Sequence, residues 1–269
     1  MDLSNTDSSD SSGSDFPDSD RIEAAARELR AADAAAALTG AGVSVPSGVP
    51  PFRGEDGIWN EYDPDAFDVH RFRASPGEFW ADWVELRSDL LDADLEPNAA
   101  HRALADLSSA GLLDAVVTQN IDGLHGAAGS ENVVELHGNA RRAVCQDCGQ
   151  SVSAEEAREK AEAGDPPPRC PSPDCEGVLK PDAVLFGERL PMDAMADAEE
   201  YAAESDVLVV AGSSLTVQPA ASLPRQAARN GATVILVNLD ETPLDSLADY
   251  VFREDVTEVL PALRDAIPE

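Results

Sequence analysis

The chain has 269 residues, of which 52 are acidic and 19 basic, giving a formal net charge of −33. That balance argues against a nucleic-acid-binding surface, which needs a basic face. It also holds no apolar run of about eighteen residues, the length a membrane span requires. Apolar residues make up 43%, enough for a core, so the expectation is a folded chain with an acidic shell suited to concentrated salt. The length predicts one large domain plus a smaller module.

Residues 1–20 are rich in Ser, Asp and Gly and are expected to form a disordered tail. They hold no basic segment followed by an apolar one, so no secretory signal is expected and the cytoplasm is the expected location. Residues 20–32 read as a helix with Ile22, Ala25, Ala26 and Leu29 on one face. Residues 34–38 form a small-residue strand that empties into Gly40-Ala41-Gly42. Glycines after a strand let backbone amides approach a pyrophosphate, but the next glycine is Gly48, so the spacing departs from G-x-G-x-x-G. A glycine turn with no ligand is equally compatible with that segment alone.

Residues 56–98 are rich in aromatics. A helix from Pro76 places Phe79, Trp80, Trp83 and Leu86 along one side, and that stripe reads as core. Residues 98–110 form a second helix with Asn98 as N-cap and His101 as a structural residue. A strand at 112–117 then delivers Gln119-Asn120-Ile121-Asp122, and a short apolar run at 133–136 delivers His137. Amides, a carboxylate and an imidazole at two strand ends make a candidate reaction centre, although each is also a common turn residue.

All four cysteines fall within residues 141–180: Cys145 and Cys148, then Cys170 and Cys175. Two close pairs match a tetrathiolate zinc ribbon, in which each knuckle turns two thiolates onto one ion. With four protein ligands the site should be structural. Residues 153–163 between the pairs predict a charged helix. Strands follow at 184–186, 207–211 and 233–237, helices near 192–204, 222–230 and 255–265. Near-continuous apolar strands alternating with helices predict a parallel sheet covered on both faces. The polar strand ends, including Gly212-Ser213-Ser214 and Asn238-Leu239-Asp240, predict a nucleotide crevice at its carboxyl edge.

Taken together, GAGVSVPSGVPPFRG, TQNIDGLH, ELHGN, the paired cysteines, GSSLTVQPA and VNLDETP resemble the sirtuin family of NAD-dependent protein deacylases, in particular its bacterial and archaeal deacetylase branch. The resemblance runs from about Ile22 to the C-terminus. It implies an α/β fold: a Rossmann-like parallel-sheet domain (21–52, 99–140 and 181–269), with a small domain made of a helical insertion (53–98) and the zinc module (141–180). NAD would be co-substrate and one structural zinc would be bound. The resemblance places Gly40, Ala41, Gly42, Val45, Phe52 and Arg53 around the pyrophosphate and nicotinamide. Ile121 and Asp122 would meet the nicotinamide carboxamide, and Gln119 and Asn120 the adjacent ribose. Gly212, Ser213, Ser214, Asn238, Leu239, Asp240 and Asp255 would bind the adenosine half. Val184, Phe186, Gly187, Leu215 and Val217 would pair with an extended acetyl-lysine peptide. His137 would be the general base, a task that suits imidazole because its unperturbed pKa lies near neutrality.

Two departures carry expectations. Pro51 stands where the family often has Asp, which would re-set the cofactor loop because proline lacks an N–H. Trp80 and Trp83 align with the Tyr and Arg of the succinyl-removing branch, so deacetylation is favoured over removal of acidic acyl groups. The competing readings are mono-ADP-ribosyl transfer to protein, removal of other acyl groups, a zinc-ribbon adaptor without catalysis, and an NAD dehydrogenase. Neither stable nucleic-acid binding nor membrane association is expected.

Overall fold

The computed structural model describes residues 19–52, 54, 57–91, 95–163 and 166–267. The expected tail, apart from its last two residues, and Arg53 therefore lie outside the described residues.

Helix α1 (Ser19–Ala31) leads into strand β1 (Ala35–Thr39). Helices α2 (Val69–Ala74), α3 (Pro76–Leu90) and α4 (Ala99–Ser109) follow. Strand β2 (Ala115–Thr118), helix α5 (Leu124–Ala128) and strand β3 (Val133–Glu135) come next. The small module contains β4 (Gly138–Cys145), β5 (Ser151–Ser153), α6 (Ala154–Glu162) and β6 (Leu179–Ala183). The chain closes with α7 (Met192–Glu204), β7 (Val207–Ala211), α8 (Leu223–Arg229), β8 (Thr233–Val237), β9 (Tyr250–Phe252) and α9 (Val256–Asp265).

Six strands form one parallel sheet in the order β3-β2-β1-β7-β8-β9. Alternate residues of the central strands feed two separate cores. Ala35, Ala37, Val207, Val209 and Ile235 pack against α1, α4 and α9. Ala36, Leu38, Leu208, Val210 and Leu236 pack against α7 and α8. This is the period-two division of a strand buried on both sides, and it carries the alanine-rich β1 into a strand despite its weak propensity. The strand order runs outward one way from β1 and the other way from β7, so the switch point, where such sheets open a crevice, lies between them.

A third core joins α2 and α3 to an antiparallel sheet of order β5-β4-β6. The Trp80 indole N–H donates to the Leu179 carbonyl at 2.8 Å and ties the two halves of this module together.

One expected strand is displaced. Residues 184–186 are a loop, and the strand is the preceding β6, which contains Pro181. β6 is an edge strand, where a residue without an N–H is tolerated. The loop turns its amides inward: Val184 N–H donates to the His137 carbonyl at 2.9 Å and Phe186 N–H to the Phe67 carbonyl at 3.1 Å. The strand expected at 112–117 begins only at Ala115.

Candidate active site

A crevice of about 530 Å³ opens at the switch point. Gly40, Ala41 and Gly42 line it from the end of β1, Gln119, Asn120 and Ile121 from β2, Gly212, Ser213 and Ser214 from β7, and Asn238 and Asp240 from β8. The opposite wall comes from the small module and the 183–188 segment.

The glycines work first on one another. Gly40 N–H donates to the Ala211 carbonyl at 3.1 Å and Gly42 N–H to the Gly212 carbonyl at 2.8 Å, so these amides are spent joining the two loops. Gly212 has φ +61°, and a Cβ there would lie 2.3 Å from Val43 N. Gly212→Ala is therefore expected to lose about 2–5 kcal/mol from backbone strain plus overpacking. Urea melts of the two proteins check this, and equal midpoints would contradict it. The amides of Ala41, Ser213 and Ser214 take no intramolecular acceptor among the described residues and remain as donors toward the crevice.

His137 stands where the chain leaves the parallel sheet for β4. Its Nδ1 lies 2.7 Å from the Gln119 carbonyl, which can only accept. In the neutral ring the proton is thereby assigned to Nδ1 and the lone pair to Nε2. The Gln119 side chain in turn donates to Ser213 Oγ at 2.9 Å, linking the ends of β2 and β7.

Beneath the glycine loop lies a buried polar chain. Asn98 N–H donates to His101 Nδ1 at 3.3 Å, which turns His101 Nε2–H toward Ser44 Oγ, also 3.3 Å away. Ser44 also receives Asn120 Nδ2 at 3.0 Å and hydrogen-bonds the Asp122 carboxylate. Asp122 is 3% exposed, and burial pushes its carboxyl above the usual carboxylate range. Asn120 Oδ1 is buried without a partner among the described residues, as an amide awaiting a donor would be.

Beside this chain the His125 and His101 rings sit 4.8 Å apart. Burial lowers His125 to about 3 and His101 to about 4, with the rings' mutual proximity and Arg102 adding to the effect. The unfolded chain thus binds more protons than the native protein from about pH 6.5 downward, and the pair loses stability as pH falls. Asp122, shifted upward, works in the opposite sense. Protonation of surface carboxylates relieves repulsion equally in wild type and variant, so the difference between them isolates the histidine. His125→Asn is expected to flatten the stability slope between about pH 6 and pH 5 by about 1.2 kcal/mol per unit. Parallel slopes in denaturant melts would refute this.

A model of the Sir2 family matches residues 40–219. The NAD-dependent protein deacetylase of Haloarcula marismortui is 54% identical over 256 residues, covering 94% of this chain and 97% of that protein. The chain belongs to the Sir2 family. The NAD-dependent protein deacetylase of Thermotoga maritima is 43% identical over 221 residues, 82% of this chain and 88% of that one. A solved structure of Sir2 with a p53 peptide and NAD+ has a TM-score of 0.78 at 39% identity, covering 89% of this chain and 95% of the other. A Sir2 variant with a deacetylated p53 peptide and 3′-O-acetyl ADP ribose has a TM-score of 0.81 at 38% identity, covering 91% and 97%.

In this Sir2-family chain the four cysteines converge as their spacing predicts. Their Sγ atoms all lie within 4.8 Å of one another, with Cys145 to Cys175 at 3.5 Å and Cys148 to Cys170 at 3.6 Å. Thiolates about 2.3 Å from one tetrahedral zinc stand just under 4 Å apart, so the set fits that ion. Asp147 N–H donates to Cys145 Sγ at 3.4 Å, and a Cβ on Gly177 would approach the same sulfur to 2.5 Å. Both knuckles therefore close tightly on the sulfurs.

Several expected Sir2 contacts lie elsewhere. Asp255 caps α9, its carboxylate taken by Thr257 N–H at 2.7 Å and Thr257 O–H at 2.6 Å, and it does not line the crevice. Val45 and Leu239 are exposed side chains outside the lining. Leu215 is buried, and is the only described non-glycine with a positive φ, 53°. It anchors its loop while Val217 lines the crevice. Asp122 is off the main crevice lining and borders a small adjoining cavity with Ala41, Phe52, Leu90, Asn120 and Ile121. Trp80 is core, so of the two aligned tryptophans only Trp83 reaches the crevice.

Of the aromatic wall, Phe52, Phe186 and the aligned Trp83 carry site expectations, whereas Trp59 does not. Phe52 stacks on Trp59 at 6.0 Å, and Trp59 meets Phe186 edge-on at 5.3 Å. Trp83 and Leu86, from the stripe whose periodicity reads as core, line the crevice together with Leu90. One helix side here serves both purposes: Phe79 and Trp80 point into the module and their neighbours border the opening. Periodicity locates that side but not the edge where the cover stops.

Proposed function

We propose that this chain removes acetyl groups from lysine side chains of proteins, with NAD as co-substrate, yielding nicotinamide, O-acetyl-ADP-ribose and the free lysine. The observation that carries the reading is His137: an imidazole whose Nδ1 is fixed on a backbone carbonyl, at the mouth of a crevice shared by glycine loops and an aromatic wall. NAD would supply the ADP-ribosyl group that accepts the acetyl, with nicotinamide as the leaving group, and one water would be consumed when the acetylated ADP-ribose is released.

Each residue then has a task. Ala41, Ser213 and Ser214 offer amides to the pyrophosphate, which no lysine or arginine reaches among the described crevice residues. Gln119 and Asn120 hold the adjacent ribose. Ile121 and Asp122, with the unpaired Asn120 Oδ1 beside them, orient the nicotinamide carboxamide. Asn238 meets the adenosine end, its loop held by Arg253 donating to the Asn238 carbonyl at 2.9 Å. Phe52 covers the reacting centre and excludes water. Once the acyl oxygen has attacked C1′, His137 Nε2 draws the proton from a ribose hydroxyl, a positioned general base of the usual kind. Val184, Gly187 and Val217 flank the peptide. The amides of Val184 and Phe186 are spent internally, so pairing at that edge falls to Gly187 and the Val184 carbonyl. An apolar pocket end without a cation favours acetyl over an acidic acyl group.

One zinc on Cys145, Cys148, Cys170 and Cys175 would hold the knuckles. The chain divides into a nucleotide domain (21–52, 99–140, 181–269) and a small domain (53–98, 141–180), supported by its separate cores. Among the described residues no helix is long and apolar enough to cross a membrane. We read the enzyme as cytoplasmic and salt-adapted, and the −33 charge supports the second part of that reading.

The test is an acetyl-lysine peptide incubated at molar salt with and without NAD. Mass loss of one acetyl group only with NAD is expected. A modified acceptor protein with the peptide intact would favour ADP-ribosyl transfer, and NADH formation would favour a dehydrogenase.

A further inference from the structure

The crevice shares a wall with a second cavity of about 410 Å³: Ala183, Val184, Gly187 and Glu188 line both. The two sides differ in charge. No lysine or arginine lines the crevice among the described residues, whereas His70, Arg73, Lys180 and Arg189 line the second cavity together with Asp182 and Glu188.

The acids there are already committed. Glu188 holds Lys180 at 3.0 Å and accepts Leu185 N–H at 2.8 Å. Asp182 holds Arg142 at 2.8 Å. Asp68, close to Gly187, caps α2 by accepting His70 N–H at 2.6 Å. Lys180 is committed too, since its remaining donors reach the carbonyls of Ala183 at 2.7 Å and Pro181 at 3.2 Å. That leaves Arg73 and Arg189, both exposed and without an ion-pair partner among the described residues. On a chain with 52 acidic side chains, two uncommitted guanidiniums border one cavity beside the substrate wall. Guanidinium presents a planar fork matched to carboxylate or phosphate.

We propose that this cavity is a subsite for an anionic side chain of the substrate, placed a few residues from the acetyl-lysine and held by Arg73 and Arg189. The inference rests on the deacetylase reading for what occupies the crevice, and adds a sequence preference to it. The subsite selects an anion at one position through direct contact, which survives the screening of concentrated salt better than long-range attraction does.

The test uses an acetyl-lysine peptide with neutral flanks. Each flanking position in turn is replaced by Glu, phosphoserine, Gln or Lys. Binding is read by fluorescence anisotropy and turnover by kcat/KM, for wild type and for Arg73→Glu/Arg189→Glu. At one position Glu or phosphoserine is expected to exceed Gln by about threefold to tenfold, and which of the two wins tells carboxylate from phosphate. In the double variant that preference vanishes or turns to Lys, while the neutral peptide keeps its kcat/KM within about twofold. No anion preference at any position, or one that survives in the variant, would overturn the proposal. Absence of turnover with every peptide would refute the deacetylase reading instead, and the binding series would still decide the subsite.

Discussion

His137→Ala is expected to lower kcat for acetyl-lysine peptide by about 10²–10⁴-fold, the usual contribution of a positioned general base, while leaving the fold and NAD affinity near wild type. The side chain is half-buried at the mouth of the crevice, and its removal opens no large cavity in any of the three cores. The backbone around it is held independently, by Leu136 N–H on the Thr118 carbonyl at 3.0 Å and Val184 N–H on the His137 carbonyl at 2.9 Å. A deacetylation time course beside a thermal melt separates the two effects. Undiminished turnover by a folded variant would remove His137 from the role of base.

Zinc removal is expected to be as severe by another route. The module carrying Cys145 to Cys175 has two three-to-five-residue partners for β4 and one short helix, too little apolar area to close alone. Structural zinc contributes about 10–16 kcal/mol of apparent binding energy in comparable modules. A chelated protein should lose amide-exchange protection across residues 138–183, and deacetylation with it, because β6 leads directly into the 183–188 wall of the crevice. Protection there at zinc-free stoichiometry would contradict this.

The sequence made the parallel sheet legible because its strands are apolar on both faces. β7 and β8 lie at the expected bounds, and α7 likewise. Strand ends carrying Gly40, Asn120, Ser213 and Asn238 located the crevice together, since ligands of such sheets bind at the carboxyl ends of strands, although each residue alone is also a common turn former. The cysteines were legible from spacing alone. What stayed hidden depends on three-dimensional neighbours. Pro181 masked β6 because a residue pattern does not say which strand is at an edge. Trp59 and Trp83 look like core residues until the crevice edge is known. Asp255 caps α9 and is off the crevice lining, because an Asp before a helix serves its own backbone first. Arg73 and Arg189, 116 positions apart, meet at one cavity only through the 68–70 and 183–189 segments.

The central claim is that one crevice transfers an acetyl group from lysine to ADP-ribose with His137 as base. Product stoichiometry tests it most directly. A purified sample at molar salt, given an acetyl-lysine peptide and NAD, should release one nicotinamide and one O-acetyl-ADP-ribose for each lysine freed, with none of the three formed when NAD is left out. Free acetate in place of the acetylated nucleotide, or lysine freed without NAD, would contradict the account.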